Sequence, residues 1–480
     1  MTTFLKNFKM PHAIALLTIL ILICSLLSYI IPSGKYEQKT IEVGTTQRTI
    51  LVPGTFKYIP KSYTLKGLIL GDTQPGTASP VSLVGFISAI PKGMQEAADI
   101  IFFIFIVGGV FGILTKTGTI IATLQYLLDS FGHSGILLTI VLMIIIGICG
   151  STIGVGEELI PLVPVFLIVS NKLGYDRIFG FCLVYLASMM GFAAATTNPF
   201  TVQIAQGIAG VPINSGMSLR IVFFICAMTL TIIYVLRYGT KTKKDNTLSI
   251  LGKEGFSIDH QKVEKINLKS SHIWIIICSV LIFSFIIYAS QSLGWWLTEM
   301  AGGFIFMGFV AMFISRLSLT EATNAFIEGM KDMVVAALIV GFAKGIQVVL
   351  TEAQIIDTLI YYTASALQNY PRYIAAEGML LFQTVLNFFI PSGSGQAAVT
   401  MPLMAPLSDI LGISRQTAVF AFTCGDGFSN TIIPTSGLLL AMLSMAKIPY
   451  EKWFKFMLPL FIQLIILAGI FMAIAVWIKY

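Results

Sequence analysis

Apolar runs of membrane-spanning length recur along almost the whole chain, at residues 14–31, 101–114, 221–236, 273–288, 304–314 and 458–478. A helix needs roughly 20 mostly apolar residues to cross the hydrocarbon core, and the shorter runs reach that with their flanks. Only 11% of the residues are charged, against about 25% in a soluble globular protein. The expected class is an all-α polytopic membrane protein. Lys6 and Lys9 precede the first run, which continues to Pro32 without a small-residue cleavage pattern. It reads as a retained first span rather than a signal peptide.

Side-chain inventory narrows the chemistry. Cys24, Cys149, Cys182, Cys226, Cys278 and Cys424 all lie in or beside apolar segments with no C-x-x-C spacing, and read as small packing residues. His12, His133, His260 and His272 sit at segment ends or in a polar stretch, so no metal site assembles by spacing. No cofactor is expected. Between residues 237 and 269 stand Arg237, Lys241, Lys243, Lys244, Lys253, Lys262, Lys265 and Lys269. Beside membrane spans, such a run marks a cytoplasmic loop; a nucleic-acid partner is not needed to explain it. Lys6 and Lys9 put the N-terminus on the same side.

The chain repeats itself at about half its length. In residues 90–118 and 326–354, Gly93, Met94, Gly109, Leu114 and Thr115 match Gly329, Met330, Gly345, Leu350 and Thr351 at one constant offset. The stretch 151–154 with Pro161 and Leu162 has its counterpart in 392–395 with Pro402 and Leu403. Gly191 and Phe192 precede a Thr/Asn/Pro stretch, as Gly427 and Phe428 precede a Ser/Asn/Thr/Pro stretch. Each half then follows one plan: a span (11–32, 296–314), an amphipathic segment (83–97, 319–330), a second span (99–114, 333–350), a segment broken at a Gly/Ser tip, a span broken by polar residues, and a closing span (218–237, 453–480).

Side counting gives the halves opposite orientation. If 136–169 and 374–410 are re-entrant hairpins, the first half meets the basic loop on the correct side, and the extra span 273–288 inverts the second. Lys172, Arg177, Arg316, Lys447, Lys452 and Lys455 then fall inside. Two inverted repeats, each with a re-entrant hairpin and a broken transmembrane helix, form the pattern of a secondary transporter. The expected divisions are an N-terminal span (1–32), an extracytoplasmic insert (33–80), the rest of the first repeat (81–237), the basic loop (238–272), the inverting span (273–292) and the second repeat (293–480). Segments 36–43 and 48–52 have β character about a Gly-Thr-Thr turn and predict a small β-hairpin in the insert. The insert's own Lys35, Lys39, Arg48, Lys57, Lys61 and Lys66 run against the inside bias, which weakens for longer translocated segments.

Four interruptions carry the candidate chemistry: GSTIGVGEE at 150–158, AAATTNP at 193–199, PSGSGQA at 391–397 and GDGFSNTIIP at 425–434. Broken backbone at membrane depth must line protein or water. Exposed helix N-termini there attract carboxylates and freed carbonyls attract cations. Four such breaks, paired across the halves, fit surface loops poorly. Glu157, Glu158, Asp426 and Lys344 are ionisable groups inside apolar stretches, each costing about 3 kcal/mol or more at the bilayer centre unless paired or hydrated. The acids are expected to receive a cationic group or a coupling ion, sodium or proton. Lys344 is expected to pair with one of them or to meet a substrate carboxylate.

The segments IPKGMQEAADIIFFIFIVGGVFGIL, GSTIGVGEELIPLVPV and GFSNTIIPTSG resemble the YfcC-like membrane proteins, which group with ArcD-type basic amino acid antiporters in the ion-transporter superfamily. The resemblance spans nearly the whole chain. It implies a multi-pass protein of the bacterial cytoplasmic membrane, commonly a homodimer. It also implies a substrate site lined by Ser151, Thr152, Gly154, Glu157, Glu158, Thr196, Thr197, Asn198, Ser392, Gly393, Ser394, Gly395, Gln396, Ser429, Asn430 and Thr431; Asp426 and Lys344 join them on charge. The Ser-Asn-Thr triplet that sodium-coupled relatives keep at their hairpin tips stands here at 429–431, in the later break.

An enzyme is not expected. An intramembrane aspartyl protease would need Gly-x-Gly-Asp, and Thr423 breaks that pattern before Asp426. No phosphate-binding Gly-x-x-x-x-Gly-Lys-Ser/Thr is present for an ATP-driven pump. The expected function is secondary active transport of a small amino-acid-like solute, with arginine/ornithine-type exchange first. Sodium- or proton-coupled uptake of a dicarboxylate or short-chain acid comes second, and a channel third.

Overall fold

The protein is described by a computed structural model covering residues 13–43, 46–71, 75–123, 126, 135–256, 268–293 and 295–480. Lys6, Lys9, His12, the turn at 44–45, His133, His260, Lys262 and Lys265 lie outside the described residues.

Long apolar sequence becomes helix because only local pairing satisfies the backbone without water. Among the described residues, six helices are long and apolar enough to cross a membrane: Ala98–Lys116, Gly135–Thr152, Met217–Lys244, Leu297–Ser315, Val334–Glu352 and Tyr450–Ile478. In chain order the helices begin with α1 (Ala13–Leu27), α2 (Leu65–Leu70), α3 (Leu83–Glu96), α4 (Ala98–Lys116), α5 (Gly135–Thr152), α6 (Val163–Lys172) and α7 (Arg177–Ala193, with a π turn at Cys182–Leu186). Next come α8 (Ile204–Ala209), α9 (Met217–Lys244), α10 (Ser270–Ser292), α11 (Leu297–Ser315), α12 (Leu319–Asp332) and α13 (Val334–Glu352). The chain ends through α14 (Ile356–Leu367), α15 (Arg372–Leu386), α16 (Gly393–Ile410), α17 (Arg415–Ser429), α18 (Gly437–Met445) and α19 (Tyr450–Ile478).

The amphipathic segments form short capped helices. Ser82 Oγ accepts the Gly85 N–H at 2.9 Å to start α3. A reciprocal box starts α12: Ser318 Oγ accepts from Glu321 N–H at 3.2 Å, and Glu321 Oε2 accepts from Ser318 N–H at 3.0 Å. Each of these helices packs on the span that follows the other, α3 on α13 and α12 on α4. Glycine permits both crossings. A Cβ on Gly93 would lie 2.5 Å from Gly341 O, and one on Gly329 would lie 2.2 Å from Gly108 O. Close approach through small residues is how helices gain contact area within a membrane.

Gly329→Ala is therefore expected to destabilise the fold by about 1–3 kcal/mol, since the methyl meets backbone that cannot rotate away. Thermal unfolding in detergent measures it. Gly302→Ala, where nothing stands within 4 Å, is the control and should not lower the midpoint.

A second pair of crossings positions the breaks. α5 packs on α7 and α15 packs on α17. A Cβ on Gly191 would lie 2.0 Å from Gly147 O, and one on Gly425 would lie 2.6 Å from Gln383 Cβ. α7 and α17 in turn meet where a Cβ on Gly427 would reach Ala193 Cα at 2.2 Å.

Residues 33–59 contribute four strands in two antiparallel pairs: β1 (Ser33–Lys35) with β4 (Lys57–Ile59), and β2 (Gln38–Val43) with β3 (Thr46–Leu51). The segment docks on α14. Gly34 N–H donates to Gln354 O at 2.9 Å, Tyr36 N–H donates to Asp357 Oδ2 at 2.9 Å, and Phe56 stacks on Tyr361 with centroids 4.2 Å apart. The plan of the halves places no helix here, and α14 is an addition to it. Ile356, Thr358, Ile360 and Leu367 make its buried side.

The opposite contacts gather basic residues. Lys243 Nζ donates to Leu173 O at 2.7 Å, Arg177 donates to Glu254 O at 3.3 Å and to Ala446 O at 3.4 Å, and Asn171 Nδ2 donates to Phe256 O at 2.5 Å. The end of α6, the end of α9 and the link before α19 thus share one end of the molecule.

Candidate functional site

The first break is tied to itself. α5 stops at Thr152, and Gly154 turns the chain at φ 78°, where a Cβ would press on Asn198 Oδ1 at 2.6 Å. Only glycine enters this left-handed conformation without strain. Glu157 then opens a 3₁₀ turn, Glu157–Leu162, and Glu158 Oε2 accepts the Gly156 N–H at 2.9 Å. Ser151 Oγ donates to Ala194 O at 3.1 Å, and its own carbonyl accepts the Thr196 N–H at 3.0 Å. Thr197 Oγ1 donates to Thr152 O at 3.3 Å, and Asn198 Nδ2 donates to Gly150 O at 3.4 Å. Asn198 Oδ1 caps the following π turn, Pro199–Gln203, through the Phe200 N–H at 2.8 Å.

The second break uses larger donors. Ser392 Oγ accepts the Gly395 N–H at 3.3 Å, so Gly393, Ser394 and Gly395 form the first turn of α16 rather than a loop. Gln396 turns away and donates to Gln383 O at 2.9 Å. Asn387 Nδ2 reaches Asp426 O at 2.9 Å, Ser429 Oγ at 2.8 Å and Asn430 Oδ1 at 2.9 Å. Three successive carbonyls past the end of α17 each accept from an aromatic side chain: Asn430 O from Tyr185 Oη at 2.8 Å, Thr431 O from Trp453 Nε1 at 2.8 Å, and Ile432 O from Tyr450 Oη at 2.5 Å. The expectation of freed carbonyls at this break is corrected: the protein satisfies them itself.

A cavity of about 260 Å³ opens between the two breaks. Its wall takes Gly154, Gly156, Glu157 and Glu158 from the first tip and Pro391, Ser392, Gly393 and Ser394 from the second. Asn430 and the first residues of α18, with Thr435 and Ser436, complete the second-half side, and Lys344 projects from α13. Of the residues expected at the site, Ser151, Thr152, Thr196, Thr197, Asn198, Gly395, Gln396, Asp426, Ser429 and Thr431 do not line it. Most of these bond the broken backbone instead. Lys344 does not pair with the tip acids: its Nζ donates to Gln347 Oε1 at 2.7 Å and stands 3.9 Å from Glu96 Oε2.

Several lining residues were not foreseen. Glu96 ends α3 and Gln347 sits one turn past Lys344. Phe192, Phe200 and Trp296 give an aromatic wall, with the Phe200 and Trp296 rings T-shaped at 5.1 Å. A polar residue at the very end of an amphipathic helix was the available signal for Glu96. Aromatic residues in apolar runs carry none. Among the described residues, no group of three or more His, Cys, Asp or Glu is placed to hold a metal.

Residues 10–477 match the family described as DcuC, C4-dicarboxylate anaerobic carrier. The protein described as "Putative basic amino acid antiporter YfcC" in Escherichia coli is 32% identical over 473 residues, 94% of this chain and 93% of that one. An uncharacterised protein of Haemophilus influenzae is 29% identical over 503 residues, 98% of both chains. Among solved structures, the Alcanivorax borkumensis YdaH transporter superposes over 98% of this chain and 99% of its own, at a TM-score of 0.46 and 15% identity. The chain is a multi-pass membrane transporter, not an enzyme. Its YfcC-like relatives and the family match along nearly its whole length make it a member of the C4-dicarboxylate anaerobic carrier family.

Proposed function

We propose that this transporter carries basic amino acids by alternating access, in arginine/ornithine-type exchange, with the substrate held in the cavity between the two tips. The observation that carries the reading is the set of charged and aromatic groups that line that cavity. Glu157, Glu158 and Glu96 line it together with Trp296 and Phe200. Acids and aromatic faces together suit a guanidinium or ammonium group. The N-terminal residues of α16 and α18 line it too, as does Lys344, whose Nζ stands 3.9 Å from Glu96 Oε2. Helix N-termini favour carboxylates. A basic amino acid has a cationic group for the acids and a carboxylate for the helix N-termini, and a volume near 260 Å³ suits a solute of that size.

The same reading treats the halves as inverted repeats, with re-entrant hairpins at α5–α6 and α15–α16. The reciprocal packing of α3 on α13 and α12 on α4 supports it. The basic end formed by α6, α9 and the link before α19 is taken as cytoplasmic, with the N-terminus, and residues 33–80 as the outer insert. The membrane is taken as the bacterial cytoplasmic membrane and the assembly as a homodimer.

Uptake of a dicarboxylate or short-chain acid is the second reading. Lys344 and two helix N-termini at one cavity favour it, as does the family's described substrate. Counterflow in proteoliposomes separates the two. Labelled arginine should enter vesicles loaded with arginine or ornithine and not those loaded with succinate. Entry of labelled succinate against internal succinate, with none for arginine, would overturn the first reading in favour of the second.

A further inference from the structure

Asp426 is buried to 0% exposure in α17, and among the described residues neither carboxylate oxygen has a hydrogen-bond partner. A buried carboxylate in that state costs several kcal/mol unless it is protonated or a cation joins it. Thr201 Oγ1, in the π turn of the first break, is a second fully buried polar atom without a partner. The Thr201 methyl and an Asp426 carboxylate oxygen lie against the same point of the second tip. A Cβ on Gly393 would come 2.8 Å from Thr201 Cγ2 and 3.3 Å from Asp426 Oδ2. Gly393 lines the cavity, whereas Asp426 and Thr201 do not. The pair therefore lies against the tip glycine and outside the cavity wall.

The ionisable groups on elements packed against α17 stand toward helix ends. Arg177 opens α7, Arg372 and Glu377 fall in the first two turns of α15, Asp409 lies at the end of α16, and Glu451, Lys452 and Lys455 open α19. Arg415 binds Asp409, and Arg220 of α9 binds Gln416, nearly three turns before Asp426. Tyr185 and Tyr450 donate to the carbonyls of Asn430 and Ile432. Cys182 is on the π turn of α7, and Cys424 projects from α17 about 200° round the helix from Asp426. None of these bonds the carboxylate.

We infer that Asp426, with Thr201 beside it, takes up the monovalent cation, a proton or a sodium ion, whose gradient drives net transport, and that the second tip senses its occupancy through Gly393. The inference rests on the chain being a transporter, not on the identity of its substrate. A ligand that binds only the folded state raises its stability, which gives a test free of any substrate. Purified wild-type protein is melted in sodium chloride or choline chloride across neutral to acidic pH. Its midpoint should rise with sodium if sodium is the ion, or with acid if the proton is.

Asp426→Asn should lose whichever response the wild type shows, while Glu328→Gln, at an exposed partner of Lys331, keeps it. Gly393→Ala, which fills the space, should weaken it, and Thr201→Val should weaken it if the ion is sodium. These two variants carry the test if Asp426→Asn does not fold. In vesicles, Asp426→Asn should accumulate no label above the outside concentration under an imposed gradient that drives accumulation by the wild type. A wild type that responds to neither cation overturns the inference, as does a full wild-type response in Asp426→Asn, or in Gly393→Ala if the former is unfolded. Failure of arginine to move in any vesicle would instead overturn the proposed substrate and leave the melting result standing.

Discussion

Glu157→Gln and Glu158→Gln are each expected to slow arginine exchange by about 10- to 150-fold, the equivalent of about 1.5–3 kcal/mol for a hydrogen bond to a charged group. Both acids line the cavity, and both carry their charge on the 3₁₀ turn that follows Gly154. Glutamine preserves shape and removes charge. At position 158 the amide oxygen can still accept from the Gly156 N–H, the bond that Glu158 Oε2 makes at 2.9 Å. The tip should therefore stay folded, and the loss should fall on substrate rather than on stability. Melting midpoints in detergent check the first point. Kinetics of counterflow check the second, with the loss expected in apparent affinity for cationic amino acids. Glu328→Gln, an exposed partner of Lys331 on α12, should exchange like the wild type. Unchanged exchange in both tip variants would remove these acids from the substrate site.

The helical membrane class was legible because lipid leaves so little choice. Runs such as 101–114 and 221–236 sit inside α4 and α9, and the amphipathic segment 83–97 coincides with α3. α14 escaped notice because its 12 residues mix Thr, Tyr and Ser with its aliphatic positions. At the breaks, position was legible and role was not. A broken helix needs polar side chains to satisfy its own backbone as well as any ligand, and both needs select Ser, Thr, Asn and Gln. Ser151, Thr196 and Asn198 serve the backbone; Ser392 serves it and also lines the cavity, and Asn430 lines the cavity while accepting from the Asn387 side chain. Composition cannot separate these cases, since the difference lies in which way each side chain points. Lys344 shows the same limit for charge. Its carboxylate neighbour, Glu96, is distant in sequence and ends a helix of the other half. Asn387 and Trp453 lie outside every interruption, yet they hold the one at 425–434 together.

Trp453→Ala is expected to cause the largest loss of stability, because it combines two costs that Trp453→Phe separates. Trp453 is fully buried, with its ring T-shaped against Phe181 at 4.9 Å and against Tyr185 at 6.1 Å. Truncating a buried Trp costs about 3–5 kcal/mol in lost packing. Its Nε1–H also supplies the bond to Thr431 O, whose loss leaves a buried carbonyl unpaired at about 1–3 kcal/mol. Phenylalanine keeps most of the packing and loses the donor. The Phe variant should thus fall by about 1–3 kcal/mol plus a small cavity term, and the Ala variant by about twice that or more. Tyr185→Phe and Tyr450→Phe remove the neighbouring donors to Asn430 O and Ile432 O and should each resemble Trp453→Phe. Asn430 lines the cavity, so a loosened carbonyl row should also lower exchange in protein that is still folded. If Trp453→Phe melts and exchanges like the wild type, the aromatic donors do not hold the break, and its geometry must come from the Asn387 contacts alone.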